Sequence, residues 1–243
     1  SLGVLTSGAS MSTLIALVAA REKHLGEELS RGVIYSSREI HHSIPKAARI
    51  AGLGEKNLRL VEVDERFRMR PDDLRKKIQA DRETGLLPFF VCSSAGTVNT
   101  GSIDPLEEIA RVATEEGLWH HVDGAYGAAF RLVPELAESL SGMELADSLA
   151  IDPHKGLFLA YGTGALLVKD MAPLREAFQS SASYMPEMQE GEHYDFCEFT
   201  PELSRQWRGL RLWLPLKLHG VDAFRSSLEL KRELALRAWE YLR

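Results

Sequence analysis

The sequence predicts an α/β protein built on a largely parallel sheet covered by helices. Three observations carry that prediction: short apolar runs with little polar alternation, helical patterns recurring between them, and turn residues at the junctions. A strand that is apolar throughout must be buried on both faces, which is what helices above and below a parallel sheet provide.

The first strand is expected at Gly3 to Ser7, and the small turn Thr6-Ser7-Gly8-Ala9-Ser10 leads into a helix from Met11 to Arg21. Further strands are expected at Val33 to Ser36, Leu58 to Val63, Phe89 to Ser93, Leu118 to Val122, Ser148 to Ile151 and Gly164 to Val168. Pro71-Asp72-Asp73-Leu74 opens a helix, with proline and acids in its first turn. Asp104-Pro105 reads as an N-cap followed by proline at the first helical position, with Leu106, Ile109, Ala110 and Ala113 at helical spacing behind it. Alternating strands and helices imply right-handed crossovers. Only a turn-like stretch from Leu157 to Thr163 separates the last two strands, which allows the last to run antiparallel. Phe178 to Pro201 is rich in Ser, Glu, Met and Tyr without a period and reads as a long functional loop. From Leu203 the pattern is helical, with Trp207, Leu210, Leu214 and Leu218 on one face, and Glu229 to Arg243 forms a helix without a Gly or Pro stop. A strand already under way at the start and an open helix at the end lead to the expectation that the chain is a piece of something larger.

Composition narrows the function classes. The 243 residues are 44% hydrophobic and 26% charged, which is globular, and the net charge of −6 argues against nucleic acid or an anionic membrane as the main partner. The longest apolar stretch, Leu14 to Ala20, is too short to span a bilayer, and no basic region precedes it as in a signal peptide. Cys92 and Cys197 stand apart without metal-ligand spacing, so no metal is expected and both read as reduced thiols of a cytoplasmic protein.

Open α/β sheets bind ligands beyond the carboxyl ends of their strands. There, the turn around Ala9 and Ser10 offers backbone N–H groups and a helix dipole to a phosphate. His41-His42 follows the second strand. Asp123-Gly124-Ala125-Tyr126 follows the fifth, and an Asp at the end of a buried strand needs a cationic partner. Asp152-Pro153-His154-Lys155 follows the sixth, where a desolvated lysine becomes nucleophilic. A phosphate cradle, an aromatic to stack, an acid for a ring nitrogen and a lysine to form a Schiff base are the fittings of a pyridoxal 5′-phosphate site.

Five segments carry a resemblance to a known family: Thr6-Ser7-Gly8-Ala9-Ser10, His41-His42-Ser43-Ile44 with Lys46-Ala47, Ala95-Gly96-Thr97, His121-Val122-Asp123-Gly124-Ala125-Tyr126, and Asp152-Pro153-His154-Lys155. In this order they resemble the group II pyridoxal-phosphate-dependent amino acid decarboxylases, which include aromatic L-amino acid, glutamate and histidine decarboxylases. The resemblance implies fold type I, with a seven-stranded sheet holding one antiparallel strand. It also implies a large cofactor domain over 1–174, a mobile active-site loop over 175–202, and connecting helices with the start of a small domain over 203–243. By resemblance, Lys155 is the Schiff-base lysine and Asp123 the partner of the ring nitrogen. Ala125 packs on one ring face and His41 stacks on the other, the following Ser43-Ile44 favouring it over His42. Ala9 and Ser10 match the phosphate turn, with His154 and Asp152 beside it and Thr97 also at the cofactor. Tyr184 matches the loop tyrosine that protonates the substrate carbon, where aldehyde-forming relatives carry Phe.

This chain departs from the pattern in three places: Asp152 stands where many relatives have Asn, Met11 replaces an acid, and Val98 replaces a second Thr. The implied activity is decarboxylation of an L-amino acid, aromatic by the lean of Tyr184 and the Trp207 to Trp213 region, in a homodimer with its site at the interface. The alternatives are an aminotransferase or carbon-carbon lyase of the same fold, or a non-catalytic fragment of it.

Overall fold

The computed structural model describes residues 2–179 and 195–243. Seven strands form one sheet: β1 (Leu2–Thr6), β2 (Gly32–Ser37), β3 (Leu58–Val61), β4 (Leu87–Ser94), β5 (Trp119–Asp123), β6 (Ser148–Ile151) and β7 (Gly164–Val168). Their order is β1-β7-β6-β5-β4-β2-β3. β7 pairs antiparallel with both β6 and β1, and the other pairings are parallel. The last strand, which its short link allows to reverse, does run antiparallel.

The helices are α1 (Ala9–Leu25), α2 (Ser43–Ile50), α3 (Pro71–Glu83), α4 (Leu106–Glu115), α5 (Pro134–Ala137), α6 (Pro153–Gly156), α7 (Ala172–Phe178) and α8 (Arg208–Leu242). Successive side chains of a strand face opposite sides of the sheet, so neighbouring residues enter different cores. Ile34 packs with Ile15, Leu17 and Ala47 beneath α1 and α2. Tyr35 packs with Leu74, Ile78 and Ile109 beneath α3 and α4. Both residues are fully buried. This two-sided burial explains why the strands read as unbroken apolar runs.

Two expectations change. Asp104 does not cap α4, whose N-cap position is Pro105. Its carboxylate instead accepts hydrogen bonds from the backbone of Met69 at 2.7 Å and Ser94 at 2.7 Å. Burial pushes its pKa up to about 6 despite those two donors. The helix expected from Leu203 starts only after Trp207, which is its N-cap and 78% exposed, and Leu218 on the expected apolar face is 69% exposed. That helix begins at Arg208 and is broken at Gly220, whose φ of 73° no helix contains. The loop expected over Phe178 to Pro201 lies mostly outside the described residues.

Candidate functional site

The carboxyl ends of β4, β5 and β6 open on one cavity of about 240 Å³. Its walls include Ala9, Ser10, His41, Thr97, Asp123, Ala125 and Lys155. Sequence reasoning had singled out all seven, scattered along the chain; the sheet order brings them together.

The α1 end of the cavity is built from small residues because backbone must approach backbone there. A Cβ on Gly164 of β7 would lie 2.4 Å from the Gly8 Cα, so only glycine lets β7 pass that turn. Thr6 Oγ1 pairs with Ser12 Oγ at 2.9 Å and accepts from the Gly8 N–H at 3.3 Å, fixing the turn from below. Gly8 itself gives α1 no side-chain cap. The Ala9 N–H is taken by Asp152 Oδ1 at 2.6 Å. Among the described residues the Ser10 N–H finds no protein acceptor. An unpaired N–H at the positive end of a 17-residue helix suits an anion.

Asp123 ends β5. Among the described residues its carboxylate accepts one hydrogen bond, from the Ala125 N–H at 3.1 Å. Burial raises its pKa, while that N–H, His41 and Lys155 pull it back. Such a desolvated acid gains most from a cation or a shared proton. Ala125 also ties two strand ends together, since its carbonyl accepts from the Asp152 N–H at 3.1 Å.

His41 stands before α2. Its Nδ1 accepts from the Ser43 backbone N–H at 3.2 Å and pairs with Ser43 Oγ at 2.8 Å, which leaves the ring proton on Nε2. Burial, then the neighbouring His42, lowers its pKa below the usual 6.5, so the ring is neutral at pH 7. The His42 ring lies 4.0 Å from it, but it is His41 that lines the cavity.

Lys155 lies in α6, one short turn whose N-cap is Asp152. The Asp152 carbonyl accepts from the Lys155 N–H at 2.8 Å, and its carboxylate pairs with Lys155 Nζ at 2.9 Å. A Cβ on Gly156 would lie 2.4 Å from the Ala129 Cβ, so glycine lets the lysine turn seat on its neighbour. His154 and Asp152 lie behind the cavity wall rather than in it. His154 Nδ1 donates to the Thr163 carbonyl at 2.8 Å, with Nε2 3.7 Å from Asp152 Oδ2. Thr97 is on the wall, but its hydroxyl closes its own turn, pairing with Thr100 Oγ1 at 2.6 Å and accepting from the Ser102 N–H at 3.1 Å. Tyr184 lies outside the described residues.

Sequence reasoning gave no roles to Ser43, Ser94, Gly96, Val98 or Tyr126, which also line the cavity. Ser43 had a legible signal in its spacing from His41, and Tyr126 in its place after Asp123. Val98 had one in its place beside Thr97, and Ser94 had none. Among the described residues no cluster of three or more His, Cys, Asp or Glu is placed to hold a metal ion, and no helix is long and apolar enough to cross a membrane.

The cavity fits a small anionic aromatic ligand with an electrophilic group: an amide-bearing helix end for the anion, a neutral imidazole and a methyl group as walls, a buried acid, and a primary amine.

Comparison with known proteins agrees with that chemistry. Residues 1–242 match the model of the pyridoxal-dependent decarboxylase conserved domain. The chain is 37% identical over 230 residues to an aromatic-L-amino-acid decarboxylase of Bacillus atrophaeus, covering 93% of this chain and 48% of that protein. It is 34% identical over 241 residues to a phenylacetaldehyde synthase of Petunia hybrida, covering 96% and 48%. The crystal structure of Oryza sativa TDC with PLP and tryptamine superposes with a TM-score of 0.88 at 31% identity, covering 92% of this chain and 48% of that one. The chain thus spans about half the length of these relatives. Sheet order and structural likeness together bear out the expected fold type I architecture.

Proposed function

This chain belongs to the pyridoxal-dependent decarboxylase family, and from that membership we propose that it forms the cofactor-binding part of an enzyme converting an aromatic L-amino acid to its amine and carbon dioxide. The observation that supports this most is the convergence of Lys155, Asp123, His41 and the α1 turn on one cavity.

Pyridoxal 5′-phosphate, when bound, supplies an aldehyde that couples to amines and a ring that accepts the electron pair left as carbon dioxide departs. Lys155 provides the amine that anchors that aldehyde until substrate replaces it. The Ser10 N–H and the positive end of α1 would hold the phosphate, with His154 behind. Asp123 keeps a proton on the ring nitrogen, because a carboxyl so desolvated gains strongly from an adjacent cation. Neutral His41, held by Ser43, and the Ala125 methyl would hold the cofactor ring between them and so orient the substrate attached to it. Tyr184 delivers the proton to the substrate carbon.

The assembled protein is proposed to be a homodimer. Exposed Trp213, Leu218, Leu234 and Trp239 on α8 support an apolar surface that a partner covers. Two free cysteines fit a cytoplasmic setting.

A second reading, conversion to an aldehyde with release of carbon dioxide and ammonia and two-electron reduction of dioxygen, is favoured by similarity to an aldehyde synthase. Tyr184 speaks for the amine. The test is product analysis with tryptophan, tyrosine, phenylalanine and glutamate. Wild type is expected to release amine from the aromatic substrates, Lys155→Ala to lose visible cofactor absorption and turnover, and Tyr184→Phe to keep the cofactor but lose most amine formation. Absorption that survives in Lys155→Ala refutes the anchor, aldehyde from wild type selects the second reading, and keto acid points to an aminotransferase.

A further inference from the structure

Asp152 is the one site residue whose chemistry runs against the phosphate it stands beside. Its side chain is 3% exposed, so its charge is poorly screened by solvent. Oδ1 takes the Ala9 N–H at 2.6 Å, across 143 residues of sequence, and so supplies the cap that Gly8 cannot. Oδ2 pairs with Lys155 Nζ at 2.9 Å and stands 3.7 Å from His154 Nε2. The backbone leaves this side chain little freedom. Its N–H donates to Ala125, and its carbonyl accepts from Lys155 and Gly156.

Resting on the cofactor reading above, we propose that Asp152 is a built-in competitor for the cofactor's phosphate. One N–H makes one strong hydrogen bond, and the carboxylate already holds the first of the two amides at the start of α1. A phosphate seated there meets a buried anion on the same helix end, and it gains the Ala9 amide only when Asp152 gives that amide up. With Lys155 engaged by the cofactor's aldehyde, the carboxylate keeps only His154 beside it, 3.7 Å away. The site therefore binds phosphorylated ligands more weakly than the same fold would with an uncharged side chain of the same shape. Asn at this position keeps an acceptor for Ala9, removes the repulsion, and brings an N–H that a phosphate oxygen can accept.

The experiment titrates pyridoxal 5′-phosphate, pyridoxal and inorganic phosphate into the full chain, stripped of bound cofactor, as wild type, Asp152→Asn and Asp152→Ala. In Asp152→Asn, affinity for inorganic phosphate is expected to rise about tenfold, as is the preference for pyridoxal 5′-phosphate over pyridoxal. Asp152→Ala, which loses the acceptor as well as the charge, should show a smaller gain of the same sign. Equal or weaker phosphate binding by Asp152→Asn overturns the proposal, as does an equal gain for pyridoxal. So does failure of both variants to fold, because the carboxylate is then a structural cap. Wild type that binds no pyridoxal 5′-phosphate refutes the cofactor reading instead, so the two failures are told apart.

Discussion

At the scale of single residues, the site depends on how each functional group is held. His41 can act as a flat neutral wall only if its ring is fixed, and Ser43 fixes it twice, through its backbone N–H and its hydroxyl. Ser43→Ala removes the second bond and leaves the first. The expected result is a threefold to tenfold weaker affinity for pyridoxal 5′-phosphate, following from a hydrogen bond worth about 1 kcal/mol, with unfolding stability changed by less than about 1 kcal/mol. Cofactor titration and urea unfolding measure the two effects, and unaltered affinity would remove Ser43 from the site. Lys155, Asp123 and His41 were legible in the sequence because each lies at the end of a strand or within four residues after it, and each strand can be read from its own apolar run. The partner of Asp152 was not legible, since the amide it holds belongs to the other end of the chain and is set only by the pairing of β7 with β1 and β6.

At the scale of elements, β7 matters more than its five residues suggest. Running antiparallel between β1 and β6, it carries Gly164 against the Gly8 turn, where a Cβ would also lie 2.6 Å from the Gly8 nitrogen and 2.7 Å from Thr6 Oγ1. All but one of these neighbours are backbone atoms, which cannot swing aside as a flexible side chain would. Gly164→Ala is expected to destabilise the fold by about 1–3 kcal/mol and to weaken inorganic phosphate binding, because relief of the clash must displace the start of α1. A variant with unchanged denaturation midpoint and phosphate affinity would contradict this account. The seven strands were readable because two-sided burial leaves them apolar, and the reversed β7 because its link is too short for a crossover. Asp104 was misread as a cap because Asp before Pro is a helix-start signal. Its carboxylate found donors from Met69 and Ser94, which no local pattern reveals.

At the scale of the whole molecule, the sheet buries two adjacent histidines of β5. His121 pairs with Thr13 Oγ1 at 3.2 Å and Ser148 Oγ at 2.8 Å, tying α1 to β6. His120 pairs with Ser93 Oγ at 2.8 Å, and among the described residues its Nδ1 has no partner. Burial lowers the pKa of each to about 3. In the unfolded chain both titrate near the ordinary value of about 6.5. Their contribution to stability is therefore whole above that value. It drains as pH falls from there toward 3, because the unfolded state takes up protons that the folded state refuses, at up to about 1.4 kcal/mol per pH unit for each histidine. Asp104 works in the opposite sense. Its folded pKa of about 6 lies above the unfolded carboxyl value, so its contribution is present at low pH and is lost as pH rises through 6. Between pH 6 and 4 it offsets about one histidine; Asp123, also raised by burial, works in the same sense, and His41, lowered by burial, works with the buried pair, which leaves a net loss of stability on acidification. Urea unfolding across that range should show it. In the double variant His120→Asn with His121→Asn, up to about 2.8 kcal/mol per pH unit of acid-side loss is removed, so the slope between pH 6 and 4 should level off or reverse, while any cost the substitutions impose uniformly lowers the whole curve without changing its slope. A slope identical to that of wild type would mean that the two imidazoles protonate without opening the sheet, and that acid sensitivity arises elsewhere in the molecule.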